Sequence, residues 1–501
     1  MTAFFLSFFN LLSLAGAFAY QILIGATFGA GVDLDSFFVS STIPQFVITI
    51  FGGSMSIVLI PAFVSSFDKG GMDEIWEVLS NFLTPSLFIF TLIAGIVFSF
   101  SHPFIDWLNP GLDERGKILA NELLRIQCIS VPFQVLSIIA GAVGNALCKY
   151  LIVGLSSLAG LSAMFIFTLL TVSTLGVKAL SYGLLAYSIV QALFLFPFMR
   201  KGFKLRLSPF SPEFIGLFKK LSPIIGGSIY YKTDQFVDRY LISYSPPGSM
   251  TCFSYASKVV MSLGSIISSG LTTIAFTDLS SMKAKNQPSD YVRVFQKNFF
   301  ALLLMLVPLC FFIWIAGLDG LLFFLRRGKF TYDDILTVYT IVLGFLGVLI
   351  AGSMGSLSAN SFYALRDVRT PTVIGILGYT LGVVLKIIGF RWIGLLGVAL
   401  ATSTYYGLNL LAQLVLLHRR TEIFRDKEIW KKLGLIFLTS GLASLLTKGF
   451  STALLTGLTF WLRGLISFLV FGAFYVFFLN RARLHEANFL LEKIRFGIKT
   501  L

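Results

Sequence analysis

Four ionisable side chains sit in a stretch that is apolar on both sides. They are Lys232, Asp234, Asp238 and Arg239, within residues 226–240. A charge in hydrocarbon costs several kcal/mol, so such groups usually face a cavity or a partner. The chemistry open to them is binding. Cations can grip an anionic headgroup, and paired carboxylates can hold a coupling cation or set the charge of their neighbours. Asp234 and Asp238 are four residues apart and share a helix face, while Gln235 and Arg239 share the next. Lys232 lies about 200° from Asp234 around an ideal helix, so the two do not pair directly. A cluster completed by Lys258 in the following span can be a structural pin or a transport site. A buried ion pair contributes little net stability, which tilts the balance towards transport.

No catalytic set accompanies these residues. The chain has no phosphate-binding glycine loop with its lysine, no nucleophile elbow, no zinc motif and no soluble cleft with paired carboxylates. Transport would therefore draw on an ion gradient, the membrane potential or a partner. No cofactor or metal is expected. The four cysteines, Cys128, Cys148, Cys252 and Cys310, lie in or beside apolar stretches and read as small buried hydrophobes.

The elements that hold these residues are membrane helices. Of 501 residues, 56% are hydrophobic and 13% charged, against about 25% charged in soluble proteins. Mean hydropathy is +0.85. The fold class is an all-α polytopic membrane protein. About fourteen segments are long enough to span, at 3–28, 36–64, 78–101, 118–146, 151–174, 179–199, 218–243, 251–277, 296–318, 332–363, 370–390, 394–417, 433–450 and 457–480. The first reads as a retained span, because it lacks a cleavage pattern. The net charge of +15 comes from basic residues clustered between spans, which the positive-inside rule explains with both termini cytoplasmic. Nucleic acid is excluded as a partner, since no soluble domain could hold a site. The outside loops hold fewer basic residues, among them Arg115, Lys117 and Lys178, and the cluster Arg326-Arg327-Gly328-Lys329 is a discord that this topology leaves outside. Residues 212–220 and the tail 481–501 read as amphipathic helices on the inner leaflet.

Further polar positions mark individual spans. Gly25, Gly29, Gly31, Asp33 and Asp35 form a polar turn after the first span. Gly52-Gly53-Ser54 interrupts the second, where Pro44 can also kink the helix. Glu122 and Arg125 are three apart and placed to pair. Residues 353–361, ending Asn360-Ser361, form a small-and-polar run that suits close packing or cavity lining. A faint internal repeat relates 60–66 to 273–281, and Asn145-Ala146-Leu147-Cys148-Lys149 to Tyr363-Ala364-Leu365-Arg366. Such repeats build two-lobed transporters.

Several stretches together resemble the MurJ/MviN lipid II flippase family. Phe28-Gly29-Ala30-Gly31, then Asp35, Phe37-Phe38-Val39 and Ile43-Pro44, resemble its opening. Tyr255-Ala256-Ser257-Lys258 resembles a YADR segment, Arg327-Gly328-Lys329-Phe330-Thr331 an RGxFT loop, and residues 362–371, FYALRDVRTP, the family's FYAxxDTRTP. The resemblance covers roughly residues 10–420.

It implies the MOP exporter fold, with two six-helix lobes in a V and two C-terminal helices. The corresponding divisions are 1–199 (first lobe), 200–217 (cytoplasmic linker), 218–418 (second lobe), 419–480 (last two spans) and 481–501 (tail). It implies alternating-access movement of an undecaprenyl-diphosphate-linked cell-wall precursor, by default lipid II, across the bacterial inner membrane. Partners would be that polyprenyl-linked glycan lipid, membrane lipids and peptidoglycan-synthesis proteins. Lys258, Lys232 and Arg239 would contact the anionic headgroup. Asp234 and Asp238 would set their charge or bind a coupling ion, and Asp35 would act at the outer gate. Gly52, Gly53, Asn360 and Arg369 read as structural or cavity-lining positions. In register with the matches, Leu14, Tyr20 and Ile48 stand where the family typically has cavity arginines. The rival functions are an ion-coupled MATE-type antiporter, with the acidic pair as its cation site, and a non-transporting scaffold for envelope assembly.

Overall fold

The computed structural model describes residues 2–199, 212–285, 287–455 and 457–482. The basic loop residues 200–211 and the tail beyond residue 482 lie outside them. Among the described residues all regular structure is helical. In chain order the helices are α1 (Thr2–Phe28), α2 (Val32–Ser99), α3 (Ser101–Leu108), α4 (Glu114–Ala146), α5 (Tyr150–Leu175), α6 (Lys178–Met199), α7 (Pro212–Lys232), α8 (Asp234–Ile242), α9 (Ser249–Ala284), α10 (Pro288–Leu325), α11 (Tyr332–Ala364), α12 (Arg369–Thr421), α13 (Lys427–Leu454) and α14 (Phe460–Ala482). Ten of these are long and apolar enough to cross a membrane. Two of the ten are each a pair of helices joined at a tight turn, α2 at Gly70–Gly71 and α12 at Ile393–Gly394. With the apolar part of α1 and the α7–α8 segment, they account for the fourteen passes expected. The protein is an all-α, multi-pass membrane protein.

The chain forms two compact units, Met1–Thr251 and Cys252–Leu501. In the first, α2 packs along α4, α5 along α6, and α7 along α2. Its interior is tied by polar side chains, because helices surrounded by lipid gain little from burying more hydrocarbon. Gln127 Nε2 on α4 donates to Ser40 Oγ on α2 and to Ser181 Oγ on α6, both at 3.0 Å. In the second unit, α11 packs along α12, and α10 against α11, α13 and α14. Ser403 Oγ on α12 donates to the Gly344 carbonyl on α11 at 2.6 Å. Tyr475 Oη on α14 donates to the Leu304 carbonyl on α10 at 2.9 Å. Trp107, Trp392 and Trp430 are exposed near helix ends, where amphipathic rings favour the membrane interface.

The faint repeat is a geometric one. Helices α4 and α11 are each 33 residues long. Asp113 caps α4 by accepting from the Gly116 N–H, and Thr331 caps α11 by accepting from the Asp334 N–H. Both helices end in a left-handed residue, Cys148 at φ 56 and Arg366 at φ 64. The bonds around these residues also match. Lys149 N donates to Gly144 O at 2.8 Å, and Asp367 N donates to Phe362 O at 2.9 Å, the long-loop bond of a Schellman ending. The following helices then turn at Gly176 (φ 55, ψ −138) and Gly394 (φ 60, ψ −135). Positions 113, 148 and 176 map without a gap onto 331, 366 and 394. Only glycine adopts that φ/ψ without a steric penalty, so both copies need it there.

Several expectations are corrected. Gly52 and Gly53 do not interrupt α2, whose non-helical residues are Gly70 and Gly71. Gly52 instead approaches Ile138 on α4. Residues 212–220 are not a separate surface helix but the first turns of α7, with Phe214 buried and its ring 5.6 Å from that of Phe82. Glu122 and Arg125 do not pair. Glu122 binds Lys178 at 2.8 Å, and Arg125 Nε donates to Ser101 Oγ at 3.0 Å. Each side chain finds a nearer partner on a neighbouring helix than on its own. Cys128, Cys252 and Cys310 are buried, but Cys148 is exposed, because the left-handed ending of α4 turns it away from the packed face.

Candidate functional site

In the first unit, the expected seventh span is divided at Thr233. α7 ends at Lys232 and α8 begins at Asp234. Thr233 Oγ1 donates to the Tyr230 carbonyl at 2.6 Å, the kind of side-chain back-bond that bends helices. Lys232 is exposed, and Asp234, Asp238 and Arg239 are half-buried. Arg239 lies within charge–charge reach of Asp238 and of Asp35. The Phe236 ring on α8 meets that of Phe46 on α2 at 4.6 Å.

Asp35 is the centre of this end of the unit. It is 3% exposed and sits in the first turn of α2. Its Oδ2 accepts from the Gly248 N–H at 2.6 Å; its Oδ1 accepts from the Thr251 N–H at 2.7 Å and from Thr251 Oγ1 at 2.6 Å. These are the orphan donors at the start of α9, which have no carbonyl below them to bind. The carboxylate serves as their cap from another helix. Gly248 has φ 90, and a Cβ there would stand 2.8 Å from the Ala30 carbonyl oxygen. The turn before α9 can therefore press on the α1–α2 turn only as glycine. Beside it, the Gly111 N–H donates to Ser243 Oγ at 3.2 Å. The α1–α2 and α8–α9 turns thus meet at Asp35, with Arg239 of α8 within charge–charge reach.

Tyr20, at one of the positions where arginine is typical, is buried, with its hydroxyl 3.1 Å from Thr168 Oγ1 on α5. Leu14 and Ile48, at the other two, are partly exposed.

In the second unit, Lys258 lies on α9 and is half-buried. One turn earlier, Tyr255 is buried against Phe330, with centroids 5.3 Å apart. Asn360 Nδ2 on α11 donates to the Thr272 carbonyl on α9 at 3.4 Å, so it joins two helices. Arg369 is exposed at the start of α12. Just before it, Asp367 accepts from the Thr370 N–H at 3.0 Å, from Thr370 Oγ1 at 2.6 Å and from Arg420 Nη1 at 2.5 Å. These bonds hold the Asp367 carboxyl down at a pKa of about 2, Thr370 contributing most and Arg420 adding to it.

Two features of this unit were missed in the sequence reading. Lys386 is fully buried in α12, its ammonium 5.8 Å from the centroid of Tyr405. Its signal in the sequence is a lysine inside the apolar span 370–390. Asp319 on α10 is held by both nitrogens of an Arg463 fork from α14, a pairing that no sequence spacing could announce.

The family model described as "Lipid II flippase MurJ" matches residues 24–470. The chain belongs to the MurJ family. A probable lipid II flippase MurJ from Thermotoga maritima is 25% identical over 495 residues, covering 94% of both chains. One from Vibrio cholerae is 24% identical over 410 residues, covering 78% of this chain and 77% of its own. Among solved structures, a lipid II flippase MurJ in an inward closed conformation superposes with TM-score 0.81 at 21% identity, covering 94% of this chain and 97% of that one. An inward-facing MATE multidrug transporter of the MOP superfamily gives TM-score 0.66 at 15% identity, covering 85% and 96%. The MurJ likeness spans nearly the whole chain, and the MATE likeness shows a shared fold. Both agree with the resemblance read from FGAG, RGKFT and FYALRDVRTP.

Proposed function

We propose that this MurJ-family chain moves lipid II, an undecaprenyl-diphosphate-linked cell-wall precursor, across the bacterial inner membrane by alternating access. The observation that carries this reading is the family match over residues 24–470, supported by relatives of similar length that bear the same name. The chain would lie with both termini in the cytoplasm. Peptidoglycan-synthesis proteins would act on its product.

The diphosphate needs cations. Tyr20 is hydrogen-bonded in packed protein, Leu14 and Ile48 are apolar, and Lys386 is fully buried beside Tyr405, so the headgroup contacts are assigned to Lys258, Lys232 and Arg239. Lysine meets a phosphate as a point charge and arginine as a planar fork. Each lysine that stands in for an arginine therefore gives a less directional contact. Asp238 and Asp35 lie within charge–charge reach of Arg239 and offset its charge until the headgroup competes for it. Asp35, capping the start of α9, acts as the outer latch. Its three hydrogen bonds must break for the α1–α2 and α8–α9 turns to separate.

Expression of this chain in bacteria depleted of their own lipid II flippase tests the reading. Growth should be restored, and purified protein should bind lipid II in preference to undecaprenyl phosphate. Failure of both would remove lipid II as the cargo.

A further inference from the structure

We infer that the first unit carries a binding site for the phosphoethanolamine headgroup of a membrane phospholipid, at the start of α4 near the α1–α2 and α5–α6 turns. The observation is a cavity of about 360 Å³ whose polar wall is two ion pairs. Arg115 Nη2 stands 3.4 Å from Asp33 Oδ1, and Lys178 Nζ stands 2.8 Å from Glu122 Oε2. The rim includes Ile118, 57% exposed, and Leu175, 39% exposed.

Each part fits that ligand. The volume lies in the range of small-molecule sites. Two cations and two carboxylates face one space, so the site is neutral as a whole but strongly dipolar. A zwitterion matches it; a purely anionic or cationic head would leave one pair of charges opposed. The phosphate would take the guanidinium fork of Arg115 and the Lys178 ammonium. The primary ammonium of ethanolamine has three N–H donors for Asp33 and Glu122. Choline has none to offer. Exposed ion pairs contribute little by themselves, so both can open to admit the head at small cost. Ile118 and Leu175 are apolar and exposed beside these charges, as expected where acyl chains begin at the interface. Lys258, Lys232 and Arg239 are not among the residues that line this cavity.

The test is native mass spectrometry of the full chain, delipidated and supplied in turn with phosphatidylethanolamine, phosphatidylcholine and phosphatidylglycerol at equal mole fraction. Ethanolamine lipid should be retained about threefold more than either of the others. The double substitution Arg115→Gln/Lys178→Gln, and separately Asp33→Asn/Glu122→Gln, should each reduce that preference to parity, with helicity by circular dichroism unchanged. Equal retention of choline lipid would overturn the ammonium contacts. Equal or greater retention of glycerol lipid would overturn the zwitterion and leave a merely anionic site. A preference that survives both substitutions would place the lipid elsewhere. If a variant does not fold, the wild-type comparison of the three headgroups still decides.

Discussion

Asp35 and Thr251 are joined twice, the carboxylate Oδ1 accepting from both the backbone N–H at 2.7 Å and the hydroxyl at 2.6 Å. The residues are 216 positions apart in the chain. A hydrogen bond to a charged group contributes about 1.5–3 kcal/mol. Asp35→Ala also leaves the N–H groups of Gly248 and Thr251 buried without that acceptor. Cys252, the next residue, is buried and should resist a maleimide in the wild type. In Asp35→Ala it should label at least tenfold faster, and in Thr251→Val, which loses one bond, only a few-fold faster. Unchanged labelling in both would mean that this carboxylate does not hold the turn.

Lys258 is half-buried on a span and is read as a headgroup contact. Lys258→Glu should abolish rescue of flippase-depleted cells, and Lys258→Arg should retain it, since the charge remains and only the geometry of the grip changes. Equal rescue by both, at equal expression, would assign Lys258 to packing.

The Arg463 fork on Asp319 neutralises a carboxylate that is only 7% exposed. Removing one partner of a buried pair costs about 3–5 kcal/mol, because the other charge is left uncompensated. Arg463→Ala should therefore lower the thermal midpoint in detergent markedly. Asp319→Asn/Arg463→Gln should recover most of the loss, as the stranded charge is gone. A double variant no better than the single would point to lost packing as the cause.

Asp367 supplies a pH prediction. Its carboxyl is depressed to about 2 in the folded chain by Thr370 and Arg420, against about 3.9 unfolded. The stabilisation is fully present above the unfolded value and is lost as pH falls towards about 2. Since Arg420 is 46% exposed, its pair with Asp367 accounts for only about 1 kcal/mol. The stability gap between wild type and Asp367→Asn should be constant from about pH 5 to 8 and be half closed near pH 3. A gap that widened on acidification would reverse the sign of the argument.

Gly394 and Gly397 lie three residues apart but resist substitution for different reasons. Gly394 has φ 60 and open space around it, whereas a Cβ on Gly397 would run into the Gly389 backbone. Gly394→Ala should cost about 1–3 kcal/mol through its backbone conformation, φ 60 with ψ −135. Gly397→Ala should cost about 3 kcal/mol through overpacking, because backbone cannot swing aside as a side chain can. Gly407→Ala, with open space and an ordinary φ, is the neutral control. Folded yield and thermal midpoint read all three.

What the sequence determined by itself is what local chemistry and pattern determine. Span length, set by hydrocarbon thickness, made the chain an all-helical membrane protein. FGAG and FYALRDVRTP carried the family, because turn glycines and an Asp-capped helix start are short-range demands written in adjacent residues. The likeness of 145–149 to 363–366 was visible too, since a Schellman ending is built from consecutive positions. Which charge meets which was decided only by the tertiary structure. Glu122 chose Lys178 over Arg125, Asp319 found Arg463, and Asp35 found the start of α9. Each of these bonds depends on how helices pack, and packing brings together residues whose separation in the chain carries no signal. Within the charged stretch 226–240, Thr233 keeps helical φ/ψ (−65, −12), so the helical wheel holds there; what the wheel could not show is that Arg239 lies within charge–charge reach of Asp35 on another helix.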